Sequence, residues 1–417
     1  MSSIADSADL IPDGDPFAEF NRAMGSGVVS NPYPDFVEHR QTTPVMRADI
    51  RRLMGLDVDA ELPDMDMPEV WTVMSYDALC TVLRDGTTYS SSGYAEIMGA
   101  VMGHTILEMD QPEHGTYRAV VQQAFSRKAM ARWETELVAP IVHGLIDDFV
   151  DDGRADLVGQ LTLPFPVTVI AGLLGLPRED LAQFHRWAIE LIGVSINWER
   201  GMAASEKLRD YFAAILDERR KAPSNDMISV LAGAEHDGVR LTDDEIFAFL
   251  RLLLPAGAET TYRSSSNLFY GLLDSPRQLE ALRNDRSLMA QAIEEGLRWE
   301  PPLLTIMRTV SRDTTLAGVD LPAGAVLVVN LGSANHDETR WDDPETFDIF
   351  RPQKQHLAFA FGPHMCLGLH LARMETAVVM NAILDRLPNL RVDPDAEPPY
   401  ITGMTFRAPP ALPVAWG

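Results

Sequence analysis

From about Glu113 to Trp299 apolar residues recur every three or four positions, in "YRAVVQQAFS", "VAPIVHGLIDDFVDD", "LAQFHRWAIELIGV" and "KLRDYFAAILDERRK". That is the repeat of one buried helix face. "LTDDEIFAFLRLLL" opens with Thr242 and Glu245 at capping-box spacing. The helix it starts should run through "LLLPAGAETT" to about Leu273, where "DSP" stops it. After Cys366, "LHLARMETAVVMNAILDRL" is helical again, and "YDALCTVLRDG" makes Cys80 a small core residue of an amphipathic helix. Short helices and strands with Pro/Gly punctuation are expected around "SNPYPDF" and "PDMDMPEVWTVMS", and a loop-rich stretch with bulky apolar residues at 89–105. "TTLAGVDLPAGAVLVVNL" reads as a hairpin around a Pro-Ala-Gly turn. The pattern predicts a mainly α fold with small, segregated β-sheets.

The long helix breaks its own rules in its most apolar region. Pro255 has no N–H and crowds the carbonyl of residue 251, at about 3 kcal/mol in a helix interior. Gly257 lets another group approach the backbone. Thr260 can bond back to the carbonyl four residues earlier. A helix widened in this way leaves carbonyls unpaired and can hold water.

The chain has 417 residues, with 35 basic against 61 acidic residues and a net charge of -26. Such a surface repels phosphate backbones and anionic lipid, so nucleic-acid and membrane-surface binding are not expected. No run of about twenty apolar residues appears, and "MSSIADSADLIPDGDPF" has no signal-peptide pattern. Two cysteines make no disulfide framework. Cytoplasmic residence follows as the expectation. With no linker or repeat, 1–417 reads as a single domain, and 1–30 as a flexible N-terminal segment.

Cys366, in "AFAFGPHMCLGLHLARMET", lies between a Gly/Pro turn and a helix start. A helix N-terminus favours a thiolate. A buried structural cysteine is one reading. A nucleophile would need a positioned base, and His364 is two residues away. A zinc site lacks paired ligand spacing. A single axial thiolate to a haem iron needs only one exposed sulfur, a rigid loop and tuning N–H groups.

Phe359, Gly362, His364, Cys366 and Gly368 resemble the haem-binding loop of the cytochrome P-450 family. Glu295 and Arg298 in "EEGLRWEPP", with Arg351 in "PETFDIFRP", are similar to its buried Glu–Arg–Arg cluster, a scaffold element. "MDQPEHGTYR" matches the segment whose histidine and arginine hold haem propionates. That implies His114 and Arg118 for the role, with Arg308 and His364 as further partners. The family's motif for the helix crossing the distal haem face matches Ala256 to Thr261, including Gly257, Glu259 and Thr260. The resemblance covers about residue 30 to the end. It implies the P-450 fold, with haem b (iron protoporphyrin IX) between that helix and the cysteine-loop helix. It implies Cys366 as axial ligand to the iron, with Phe359, Gly257 and Gly368 beside the cofactor.

Oxygen reduction at a haem iron needs electrons and protons. Thr260 is the candidate hydroxyl and Glu259 the candidate acid connecting it to solvent. Leu252, Pro255, Ala256, Leu303, Leu304 and Ile306 are the candidate pocket lining, with Ile97, Met98 and "ITGMTF" at 401–406 as weaker members. All six are apolar, which points to a hydrophobic substrate of terpenoid, steroid or fatty acyl type. No flavin or iron–sulfur motif appears, so a separate ferredoxin or flavodoxin is implied. Arg127, Lys128, Arg132, Lys354 and Arg373 form the candidate docking patch. The resulting expectation is a haem-thiolate monooxygenase using O₂. A peroxide-using peroxygenase and a non-catalytic haem sensor are the alternatives, and the acid–alcohol pair argues against both.

Overall fold

The computed structural model describes residues 16–23, 25–54, 69–195 and 197–417. Eight helices position the site: α1 (Tyr76–Arg84), α2 (Gly93–Met102), α3 (Glu113–Val121), α4 (Trp198–Lys221), α5 (Asp243–Leu254), α6 (Thr260–Asp274), α7 (Met289–Trp299) and α8 (Leu369–Arg386). The chain is mainly α with small separate sheets. Thr242 caps α5 by the expected reciprocal pair: its hydroxyl accepts from Glu245 N at 3.3 Å, and Glu245 Oε2 accepts from Thr242 N at 2.7 Å. The large core cluster packs α5, α6 and α8 together through Leu250, Leu268, Phe269, Val379 and Ile383.

The main sheet has five strands: β1 (Val45–Met46), β2 (Val70–Val73), β3 (Tyr89–Ser90), β4 (Thr305–Val310) and β5 (Val326–Asn330), in the order β1-β2-β5-β4-β3. β5 runs parallel to β2, with Val328 opposite Thr72, and antiparallel to β4, with Val328 opposite Met307. Alternation along β5 buries Leu327 and Val329 against Leu79, Val82 and Trp341 in a second cluster.

Three expectations change. The hairpin pairs 314–316 with 319–321, and its turn is Ala317-Gly318, not the Pro-Ala-Gly sequence. Both turn residues have positive φ, 49° and 82°, the geometry that matches strand twist in a two-residue hairpin. The run after Pro-Ala-Gly becomes β5 of the main sheet. Residues 89–105 are not mainly loop: a short strand leads into α2. Within 1–30, Pro16–Ala23 forms a helix, and Gly27 N donates to Thr402 Oγ1 at 2.9 Å. Residues 1–15 and 24 lie outside the described residues, as do 55–68, which take in 63–68 of the punctuated stretch. Among the described residues no helix is long and apolar enough to cross a membrane.

Candidate haem and oxygen site

The cysteine loop is a set of tight turns. Gly362 has φ 72°, and a Cβ there would come 2.3 Å from the Leu83 carbonyl oxygen of α1. Only glycine fits. Cys366 N donates to Phe359 O at 2.9 Å and Met365 N to Gly362 O at 3.1 Å. α8 begins at Leu369, so Cys366 precedes its first turn. Burial pushes the Cys366 thiol up, while the Gly368 N–H and the charges of Arg118 and Arg373 pull it down.

Four cationic or imidazole groups gather beside this loop. The His114 and His364 rings are 4.0 Å apart. Arg118 ties α3 to the loop, donating to Pro363 O at 3.2 Å and Met365 O at 2.7 Å. Arg308 on β4 is buried, its Nη1 on Met307 O at 2.6 Å. Burial, then the charges of His114, Arg308 and Arg118, hold His364 down to about 3. Burial first, then Arg118, lowers His114. Gln111 Nε2 donates to His114 Nδ1 at 3.2 Å, which puts the ring hydrogen on Nε2. That buried Nε2 has no partner among the described residues. An orphan donor with two arginines beside it suits an anionic acceptor, and the carboxylates of a haem supply two. The residues present fit the group.

In the long helix, α5 and α6 are joined by a π-helical turn, Pro255–Glu259. Pro255 is its first residue, as a residue without an N–H allows. Thr260 Oγ1 donates to Ala256 O at 2.7 Å. Thr260 and Pro255 are half-buried, whereas Ala256 is exposed. A Cβ on Gly257 would meet the Ile170 side chain, Cδ1 at 3.0 Å and Cγ1 at 3.7 Å.

Glu259 is buried against Arg263, whose Nε lies 2.7 Å from its Oε1 and whose Nη2 binds the same oxygen. Arg263 also donates to Asn21, and its guanidinium lies over the rings of Tyr262 and Phe406. The partner of the candidate acid is thus a buried arginine of its own helix. The i,i+4 spacing of Glu259 and Arg263 was the available sequence signal.

The candidate pocket residues divide. Leu252, Pro255 and Leu303 are half-buried, and Leu303 bridges to Phe406. Ile306 is half-buried against the second core cluster. Leu304 is fully buried with Tyr33, Phe36, Ile50 and Met74, so it belongs to the core and not to the pocket wall. Met98 is half-buried on α2, and the side chain of Ile97 lies outside the described residues.

The scaffold triad is complete. Arg298 Nε and Nη2 each lie 2.8 Å from Glu295, and Arg351 Nε is 3.2 Å from it. Asp348 N adds a bond at 2.9 Å, and Arg298 Nη1 reaches the carbonyls of Asn335 and Pro344. The buried charges are paired and hydrogen-bonded throughout.

The candidate docking patch is less free than its sequence implies. Arg373 is forked onto Glu294 at 2.6 and 2.7 Å, Arg132 binds Asn225, and Lys354 donates to Arg340 O. Arg127 and Lys128 are exposed.

A family model described as Cytochrome P450 matches residues 181–411. Cytochrome P450 monooxygenase PikC of Streptomyces venezuelae is 34% identical over 408 residues, 94% of this chain and 93% of its own. Nocardicin C N-oxygenase of Nocardia uniformis subsp. tsuyamanensis is 36% identical over 404 residues, 94% and 98% of the two chains. The crystal structure of CYP109E1 from Bacillus megaterium in complex with testosterone matches with a TM-score of 0.82 at 35% identity, over 93% of this chain and 99% of that chain. The chain belongs to the cytochrome P450 family, and it is a P450 haem monooxygenase.

Proposed function

We propose that the enzyme inserts one oxygen atom of O₂ into a small hydrophobic substrate of terpenoid, steroid or fatty acyl type. Its cofactor would be haem b, with Cys366 as axial ligand and His114, Arg118, Arg308 and His364 around the propionates. Bound haem supplies O₂ activation, and the thiolate supplies the electron push for O–O cleavage. This chain's residues do the rest. The π-helical turn carries the reading: it opens α5–α6 at Ala256 and sets the Thr260 hydroxyl on the Ala256 carbonyl, beside an exposed backbone position. In that position Thr260 can hold a water and pass a proton. Glu259 would be the acid that resupplies it, through Oε2, the oxygen that Arg263 does not hold.

Leu252, Pro255, Ala256 and Leu303 provide apolar wall. Testosterone in the CYP109E1 complex and the steroid C26-monooxygenase of Mycolicibacterium smegmatis, 34% identical over 350 residues, make steroid-sized molecules the first to test. Electrons would come from a separate ferredoxin or flavodoxin meeting the cysteine-loop face, where Met365 is exposed, and the reaction would take place in the cytoplasm.

The test is turnover under ¹⁸O₂ with a ferredoxin, its reductase and NADH, on compounds chosen by their shift of the iron spin state. One ¹⁸O atom in the product, only with the electron donor present, is the expected result. Product from hydrogen peroxide alone would establish the peroxygenase instead. A reduced carbon monoxide spectrum without the strong red shift would remove Cys366 as the ligand.

A further inference from the structure

"EEGLRWEPP" places two acids side by side on α7. Adjacent helical positions point about 100° apart, so the two cannot share partners. Glu295 serves the arginine triad. Glu294 turns instead to α8 and the start of the cysteine loop. Arg373 approaches it as a fork, Nε on Oε1 at 2.6 Å and Nη2 on Oε2 at 2.7 Å. His356 Nε2 lies 3.3 Å from Oε2. The backbone N–H of Ala358 donates to His356 Nδ1 at 3.1 Å. Nδ1 is therefore an acceptor and the ring hydrogen is on Nε2, which lies close to Glu294 but makes no hydrogen bond among the described residues. Burial opposes ionisation of Glu294, yet His356 and Arg373 together pull it down to about 2.

Both partners of Glu294 meet one ring. The Arg373 guanidinium lies 4.8 Å from the Phe359 centroid, and the His356 ring is 6.0 Å from it. The Phe359 carbonyl accepts the Cys366 N–H. Arg373 is also one of the charges that favour the Cys366 thiolate.

We infer that Glu294 is a positioning residue for the Cys366 ligand, fixing Arg373 and His356 against Phe359 and cancelling the charge Arg373 presents to the sulfur. The inference rests on Cys366 being the axial ligand, as proposed above. It gives Arg373 an internal role in place of the docking role its sequence suggested.

The experiment is spectroelectrochemical titration of the haem-loaded protein, with the reduced carbon monoxide spectrum of each variant. In Glu294→Gln the Arg373 charge is uncompensated. The reduced fraction at a fixed dye potential should rise about threefold or more, the order expected of one partly exposed charge near the iron. Part of the red-shifted carbon monoxide band should be lost. Arg373→Met should move the potential the opposite way, because Glu294 is then the unpaired charge. The double variant should return towards the wild-type potential while keeping the spectral loss, which separates charge from positioning. A Glu294→Gln protein with wild-type potential and spectrum, and a normal unfolding transition, overturns the inference. If Glu294→Gln does not fold, Arg373→Met decides alone: an unchanged potential overturns the inference and a fall supports it. Absence of the red-shifted band in the wild type would fail the Cys366 reading itself, a distinguishable result.

Discussion

Glu259 and Arg263 stand one helical turn apart on the helix above the candidate haem face, and their side chains are only 3% and 4% exposed. Arg263 is held by more than Glu259. Arg263 reaches Asn21 of the N-terminal helix and lies between the Tyr262 and Phe406 rings, and Phe406 bridges to Leu303. The candidate acid is therefore linked, through one guanidinium, to Phe406 and the candidate pocket residue Leu303.

Arg263→Met should be costly. It leaves a buried carboxylate without its cation, a change worth about 3–5 kcal/mol when one partner of a buried pair is removed. Urea unfolding of Arg263→Met and of Arg263→Met/Glu259→Gln measures it. The second substitution should recover much of the loss, because it removes the stranded charge. Equal stability of the two variants would show that the pair does not hold this part of the helix.

Thr260→Ala removes the hydroxyl on the Ala256 carbonyl. NADH consumption should continue, while product per NADH falls about tenfold or more and hydrogen peroxide appears instead. Thr260→Ser should keep most of the coupling, since the donor remains. Coupled turnover in the alanine variant would exclude Thr260 from proton delivery.

Sequence reading succeeded where one local signal decides the outcome. The capping box, the proline break and the glycine turns of the cysteine loop are local, and Thr242, Pro255 and Gly362 stand where their chemistry requires. It failed where neighbours in space decide. Leu303 and Leu304 are equally apolar, and only the packing of Leu304 against Tyr33, Phe36, Ile50 and Met74 shows that 304 belongs to the core. Ala317 looks nothing like a turn residue, yet the strands on each side impose positive φ on it. Arg373 looks like a surface cation until α7 brings Glu294 to it. Glu375 looks like one more helix-surface acid, although it is buried on α8.

Glu375 gives a pH prediction. Burial pushes its carboxyl up to about 8, against a smaller opposing effect of a hydrogen bond with Thr261. The folded state then holds a proton that the unfolded chain releases near its ordinary value of 4.5. Between those values the native state binds more protons, so its stability is full at the acid end and declines as pH rises through about 8. By linkage the decline is at most about 5 kcal/mol. Urea midpoints of the wild type and Glu375→Gln from pH 5 to 9 test it: the glutamine variant should lose this slope. Parallel curves would show that Glu375 titrates normally.

Arg308→Ala and His114→Ala should weaken haem retention while leaving the fold intact. Each removes a buried donor from the anion site, and a charge-assisted bond is worth about 1.5–3 kcal/mol. Haem transfer to an apo-globin acceptor should then be about tenfold faster or more, with Arg308→Ala the larger effect because it removes a full charge. Transfer at the wild-type rate from both would place the propionates elsewhere.

The three motif glycines separate by the same substitution to alanine. At Gly362 the new Cβ meets main chain, the Leu83 carbonyl oxygen at 2.3 Å, in a residue that already has positive φ. Neither the strain nor the clash can be relieved by a rotamer change, so the loop must shift and α1 with it. A loss of about 2 kcal/mol or more should follow, together with a reduced carbon monoxide band that loses part of its red shift. At Gly257 the Cβ meets only the end of Ile170, at 3.0 Å with normal φ. That methyl can turn aside, and alanine favours a helix by about 1 kcal/mol over glycine, so stability should hold or rise slightly. At Gly368 the Cβ meets no protein atom within 4 Å. Gly368→Ala should therefore unfold like the wild type before haem is added, and any defect should appear only as slower or weaker haem uptake. Urea midpoints of the haem-free proteins and their haem titrations distinguish the three. A haem-free Gly368→Ala protein as unstable as Gly362→Ala would mean that this glycine serves the backbone and not the cofactor.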